Sequence, residues 1–268
     1  MAYIEKIYDL GSSREYEYCF SGKYGKKGEK RSKRQRASPD QIQKQNQWSR
    51  KKRLRRIVEY NFHEGDILVT LKYPRGIRPQ MEQVEKDFKN FCNKMRRAYA
   101  KEGIPFKYIY RMEIGKRGGI HIHILMNDIP NAIGLIRSKW NGHANVEAVY
   151  DLTNGEVSDY LSKLPDDIIE GQMTFLTDAE KKKLIRYGRS RNLAEPQPEV
   201  KEYSRRTVEK MVRDGIKPSP GYYIDKSSIW YGTNPFTGYT HLHYKELKTK
   251  SEKGTAEVPY WKEEPPWL

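Results

Sequence analysis

Residues 107–126 read KYIYRMEIGKRGGIHIHILM. Two apolar runs, Lys107 to Ile114 and Ile120 to Met126, flank Gly115-Lys116-Arg117-Gly118-Gly119, a pattern that spells two strands joined by a glycine-rich turn. Successive side chains on a strand point to opposite faces, so Ile120, Ile122, Ile124 and Met126 line one face while His121 and His123 share the other. Pairing Ile114 with Ile120 across the turn sets Glu113 opposite His121 and Arg111 opposite His123. Directly opposed residues of an antiparallel pair lie close enough to interact. The register therefore predicts one carboxylate and two imidazoles on a common surface.

Working outward, DILVTLKY (Asp66 to Tyr73) is an apolar run closed by Pro74 and reads as a strand. Pro79 opens a helix to about Lys101, with Met81, Val84, Phe88, Phe91, Met95 and Tyr99 forming one apolar stripe. Gly103 and Pro105 end it. A shorter helix fits Asn131 to Trp140, and Asn145 to Tyr150 reads as another strand. Asn154 offers a cap for a helix carrying Val157, Leu161 and Leu164, which Pro165 stops. This order predicts an α+β fold: a central antiparallel sheet of about five strands, RRM-like, with helices packed on it. A helix from Ser204 to Asp214 and a hairpin, Tyr222 to Tyr231 with Tyr239 to Leu247, form a C-terminal extension.

Charge is unevenly distributed along the 268 residues. Lys23 to Arg56 holds 15 Lys or Arg against two acids, a net +13 of the chain's formal +16. Its first part, GKYGKKGEKRSKRQR, has almost nothing to bury and reads as an arm. NQWSRKKRLRRIVEY follows with Trp48, Leu54, Ile57 and Val58, enough to seat a short basic helix. Such density implies a polyanionic partner and salt-sensitive binding to phosphates. Lys51, Lys52, Arg53, Arg55 and Arg56, with Arg111 and Arg117 of the hairpin, are the expected DNA contacts. No window approaches 18 continuous apolar residues, which argues against a membrane-spanning helix and a membrane partner. Two cysteines, Cys19 and Cys92, supply neither a disulfide framework nor a cysteine-based zinc site, and suit a reduced, cytoplasmic setting.

Neutral imidazoles with one carboxylate suit a borderline or hard divalent ion such as Mn²⁺ or Mg²⁺. The lack of a nearby third histidine or cysteine argues against a closed zinc site. The plainer alternative is a pair of surface histidines on a half-buried strand. His241 and His243 repeat the spacing, but the proposed turn brings no acid opposite them, and they read as hairpin surface. Tyr160 and Lys163, three residues apart on a short helix, place a phenol and an ammonium on neighbouring positions. A phenol with an ordinary pKa near 10 is a weak nucleophile without such help.

EIGKRGGIHIHIL followed by DYLSK resembles the HUH endonucleases, in particular the rolling-circle replication initiators of phages and plasmids. DILVTLKY resembles that family's first motif, a core strand without a required ligand. The resemblance implies that His121, His123 and Glu113 hold a divalent metal, Mn²⁺ or Mg²⁺, and that Tyr160 is the nucleophile, with Lys163 in its Tyr-x-x-Lys pattern. Some members carry two tyrosines on one helix; here positions 156 and 164 are Glu and Leu, favouring one nucleophile, with Tyr187 in reserve. The implied activity is metal-dependent nicking and rejoining of single-stranded DNA through a 5′-phosphotyrosine intermediate, to start rolling-circle replication. Implied partners are single-stranded or hairpin DNA at an origin, and a host helicase and polymerase in a bacterial cytoplasm. No phosphate-binding loop of the G-x-x-x-x-G-K-[ST] type is present for a helicase of its own. The expected organisation is a basic arm and short helix over 1–59, the HUH-like nuclease domain over 60–198, the helix and β-hairpin extension over 199–250, and a flexible tail over 251–268. A relaxase or transposase of a mobile element shares this chemistry, and a non-catalytic RRM-like nucleic-acid binder shares the element order.

Overall fold

Alternation and helical periodicity resolve into eleven strands and five helices among the described residues. The computed structural model describes residues 3–20, 38–115, 118–153, 155–162, 187–203, 205–233, 240–249 and 262–263. The chain divides into two compact units, Arg53–Ala194 and, together, Met1–Lys52 with Glu195–Leu268. The class is α+β, as the element order predicts.

In the first unit, β3 (Ile67–Lys72), β4 (Tyr108–Ile114), β5 (Ile120–Met126), β6 (His143–Ala148) and β7 (Gly188–Arg189) form an antiparallel sheet in the order β6-β3-β5-β4-β7. The β4–β5 register is the expected one, Ile114 with Ile120, Glu113 with His121 and Arg111 with His123. Helix α2 (Met81–Lys101) buries Met81, Val84, Phe88, Phe91, Met95 and Tyr99 on the face formed by Val69, Leu71, Ile122, Ile124 and Met126. Each such apolar side chain contributes roughly 1.5–3 kcal/mol on leaving water. Helix α3 (Ala132–Lys139) adds Ile136 to the same core.

The opposite face is covered only in part. Leu54, Ile57 and Val58 of α1 (Pro39–Asn61) and Leu161 of α4 (Glu156–Ser162) pack on Ile109 and Leu125. Tyr187, the reserve tyrosine, is partly buried against this cluster. The helix expected to be short therefore runs 23 residues, starting where Pro39 fixes a first turn and Ser38 accepts from the Gln41 amide. The last strand of the sheet begins two residues earlier than expected, at His143, because its pairing with Lys72 extends the ladder.

The second unit corrects the expectation for residues 1–59. Its first 20 residues are not arm: β1 (Tyr3–Asp9) and β2 (Ser13–Phe20) form a hairpin about Gly11, which takes φ +87°. YIEKIYD and SREYEYCF alternate strand-fashion, and Tyr3, Tyr16 and Tyr18 supply the buried face. With β8 (Glu199–Tyr203), β9 (Tyr222–Thr233), β10 (Thr240–Lys248) and β11 (Lys262–Glu263) they make a six-stranded sheet, β11-β9-β10-β2-β1-β8, antiparallel except where β11 joins β9. The expected C-terminal helix and hairpin are thus present, as α5 (Arg205–Asp214) and β9–β10. Val208 of α5, Tyr244 and Ile224 pack with the buried tyrosines, and the rings of Tyr16 and Tyr244 stack at 4.6 Å. The basic run from Lys23 to Arg36, Asn154 and most of the expected flexible tail lie outside the described residues.

Candidate active site

Register lays out the open face of the nuclease sheet as a lattice. One row runs Glu113 (β4), His121 (β5), Lys72 (β3), His143 (β6); the next runs Arg111, His123, Thr70, Asn145. The third row, Ile109, Leu125 and Leu68, is the apolar floor under α1 and α4. The polar rows therefore begin where the helical cover ends.

His123 is the centre of this surface. It is 6% exposed. The Tyr160 hydroxyl from α4 lies 2.7 Å from its Nδ1 and 3.1 Å from Nε2, with the rings edge to face at 4.9 Å between centroids. Thr70 Oγ1 is 3.1 Å from Nδ1, and Glu113 Oε2 is 3.3 Å from Nε2. Tyr160 and His123 are 37 residues apart in the chain, and the fold alone brings them together.

Arg111 is read above as a DNA contact, and its burial corrects that reading. Only 3% exposed, it donates from Nη1 to the main-chain oxygen of Tyr160 at 3.3 Å. A buried guanidinium holding the helix that carries the phenol is a positioning group. Lys52 is corrected likewise: its ammonium pairs with Glu15, at 3.7 Å, and with Glu17, and lies over the Trp48 ring. Arg55 is half-buried, 3.9 Å from Glu59, whereas Lys51 and Arg53 stand exposed and Arg56 is intermediate. Arg117 and Lys163 lie outside the described residues.

Electrostatics separate the site's acid from its base. The hydrogen bond to His123 holds the Glu113 carboxyl below its usual range, against the opposing effect of burial. Burial, with the charge of Glu113 adding to it, pushes the Tyr160 phenol up to about 12. At neutral pH the phenol is a hydrogen-bond donor, with only about one molecule in 10⁵ ionised. Burial and the neighbouring Lys72 ammonium hold His121 below its usual range, so it is a neutral imidazole with a lone pair to offer.

The donor set, one carboxylate and two imidazoles, is chemically suited to a divalent ion. Glu113 and His123 are already drawn together. His121 shares their face but stands off, its ring 6.4 Å from that of His123 and folded over Gly115, where a Cβ would meet Cε1 at 2.7 Å. Among the described residues, the group of ligand atoms lying within 4.8 Å of one another is a different one, Glu15, Glu17 and His243. This trio answers the second histidine pair, read above as hairpin surface. His243 is 8% exposed and meets Glu15 at 2.5 Å, the acid arriving not across the β9–β10 turn but from β2. Lys52 already supplies the counter-charge to both carboxylates.

Two features escape a reading of the sequence. Thr70 sits within the first motif, and only the β3–β5 register shows it facing His123. Arg111 looks like any basic residue until its burial is known.

No curated protein and no solved structure matches the chain. A family model does: residues 66–165, from the start of DILVTLKY to the end of the Tyr160 helix motif, match the replication-associated protein family of the ORF2 type, which bears out the resemblance to rolling-circle replication initiators.

Proposed function

We propose that the protein nicks and rejoins single-stranded DNA to start rolling-circle replication, with Tyr160 as the nucleophile. The observation that carries this reading is the placement of the Tyr160 hydroxyl 2.7 Å from a ring nitrogen of His123, on the same sheet face as Glu113 and His121. The Tyr160 oxygen forms a bond to the scissile phosphorus as the bond from phosphorus to the 3′ oxygen breaks. The phenolic proton leaves to a base, and the departing 3′ oxygen takes up a proton to become the free 3′-OH from which a polymerase extends. The 5′ phosphate stays on Tyr160, so phosphodiester energy is conserved and a later 3′-OH reverses the step.

Glu113, His121 and His123 would hold the divalent ion, Mn²⁺ or Mg²⁺, which when bound polarises the phosphate and counters its developing charge. Arg111 keeps α4 over the sheet, and Thr70 orients His123. With a phenol pKa of about 12, Tyr160 needs both an acceptor for its proton and positive charge nearby. Exposed Lys51 and Arg53 suit sequence-independent phosphate contacts.

The RRM-like binder is the weaker reading. Modules of that type expose aromatic side chains on the sheet for base stacking. Here Tyr108 and Tyr110 of β4 pack against Phe88 under α2, and the open face carries imidazoles and a carboxylate. The test is incubation with single-stranded origin-region DNA and Mn²⁺. Wild type is expected to nick and Tyr160→Phe to bind without nicking; normal nicking by Tyr160→Phe overturns the assignment. Loss of cleavage in His123→Ala and His121→Ala is expected alongside, and unchanged cleavage would remove the metal role.

A further inference from the structure

The polar face does not end at His121. Lys72 is opposed by His121 on one side and by His143 on the other, all three on the face that carries Tyr160 and His123. Lys72 and His143 are both exposed. Neighbouring strands lie about 4.8 Å apart, so the Lys72 and His143 stems stand roughly 5 and 10 Å beyond His121 along the row.

Two observations set Lys72 apart from an ordinary solvated lysine. Among the described residues no carboxylate pairs with its ammonium, whereas Lys52 has two. Its backbone is also clamped. Trp140 Nε1 donates to the Lys72 carbonyl at 3.0 Å, and the chain at Gly142 approaches that oxygen so closely that a Cβ there would collide with it. The end of β3 is thereby held rigid where the open face begins. The Lys72 charge already acts on the imidazole of His121, which places it within range of whatever His121 touches.

We propose that Lys72 and His143 form a phosphate seat for the DNA strand entering the Tyr160 site, holding the backbone next to the scissile linkage. The inference rests on the nicking reading above and adds the residues that position the substrate. Lysine serves phosphate as a compact point charge, and a neutral imidazole donates one N–H. Neither reads a base, so the seat fixes register rather than sequence. On the far side of Lys72 from Glu113, it is also spared the carboxylate's repulsion.

The test is binding of a fluorescent oligothymidylate by the full chain across a salt series. Loss of one phosphate contact to a single strand lowers the slope of log K against log salt by about 0.7. Lys72→Gln is expected to lower the slope by that amount and weaken binding, Lys72→Arg to keep it, and Lys94→Gln, exposed on α2, to match wild type. His143→Ala is expected to weaken binding at every salt concentration without changing the slope, measured above the ordinary imidazole pKa. A wild-type slope in Lys72→Gln, or an equal loss in Lys72→Arg, overturns the seat. A Tyr160 adduct assay on the same preparations separates the two readings. A Lys72-dependent slope with no adduct from wild type keeps the seat and removes the nicking; an adduct with an unchanged slope removes the seat alone.

Discussion

Arg111, at the middle of β4, donates its Nη1 hydrogen to the main-chain oxygen of Tyr160 at 3.3 Å. Seven residues of helix are too few to be stable alone. The placement of α4 therefore depends on what it packs on, namely Leu161 in the floor cluster and the Arg111 bond. The phenol's position over His123 is a property of β4 as much as of α4.

Arg111→Ala is accordingly expected to lower unfolding free energy by about 1–3 kcal/mol, since it strips a partner from a partly buried carbonyl. The larger effect falls on chemistry. A misplacement of about 1 Å at a reacting atom costs roughly 100-fold in rate. Nicking under single-turnover conditions is expected to fall by that order while oligonucleotide affinity changes little. An unchanged nicking rate would show that α4 needs no such tether.

Thr70→Val removes the hydroxyl 3.1 Å from His123 Nδ1 and nearly preserves side-chain volume. Groups that orient a metal-ligating histidine typically change metal affinity or activity about 10- to 100-fold when lost. The Mn²⁺ concentration giving half-maximal nicking is expected to rise by at least the lower figure, with thermal stability nearly unaltered. Thr70→Ser, which keeps the hydroxyl, is expected to stay near wild type.

What could be read from the chain alone follows from how local the signals are. The Ile114–Ile120 register is set by five turn residues, so Glu113 facing His121 and Arg111 facing His123 follow without knowledge of any other element. The α2 stripe is likewise contained in 21 residues. The Glu15–His243 contact spans 228 residues, and no pattern inside THLHYKEL points to it. The β1–β2 hairpin went unread because its buried face is built from tyrosines and a glutamate rather than aliphatics, Glu5 among them at 4% exposed. Arg111 shows the same limit from the other side: residue type suggests phosphate, and only packing shows a buried tether.

Lys51 and Lys52 are neighbours with opposite expected behaviour. Removing Lys52 leaves Glu15, fully buried, without its cation, a change of the kind that costs about 3–5 kcal/mol. Lys52→Ala is expected to lower the unfolding midpoint in urea clearly. Lys51→Ala is expected to leave stability within about 0.5 kcal/mol and to lower the salt slope of single-strand binding by about 0.7. Equal stability losses from the two substitutions would contradict the different environments of these lysines.

The most direct measurement is identification of the residue joined to DNA. The protein is incubated with end-labelled single-stranded origin-region DNA and Mn²⁺, denatured, digested, and the nucleotide-bearing peptide sequenced by mass spectrometry. The expected product is a peptide carrying the 5′ phosphate on Tyr160, absent from Tyr160→Phe and from His123→Ala. Cleavage without any covalent product, or a 5′ phosphate found on Tyr187, would contradict it.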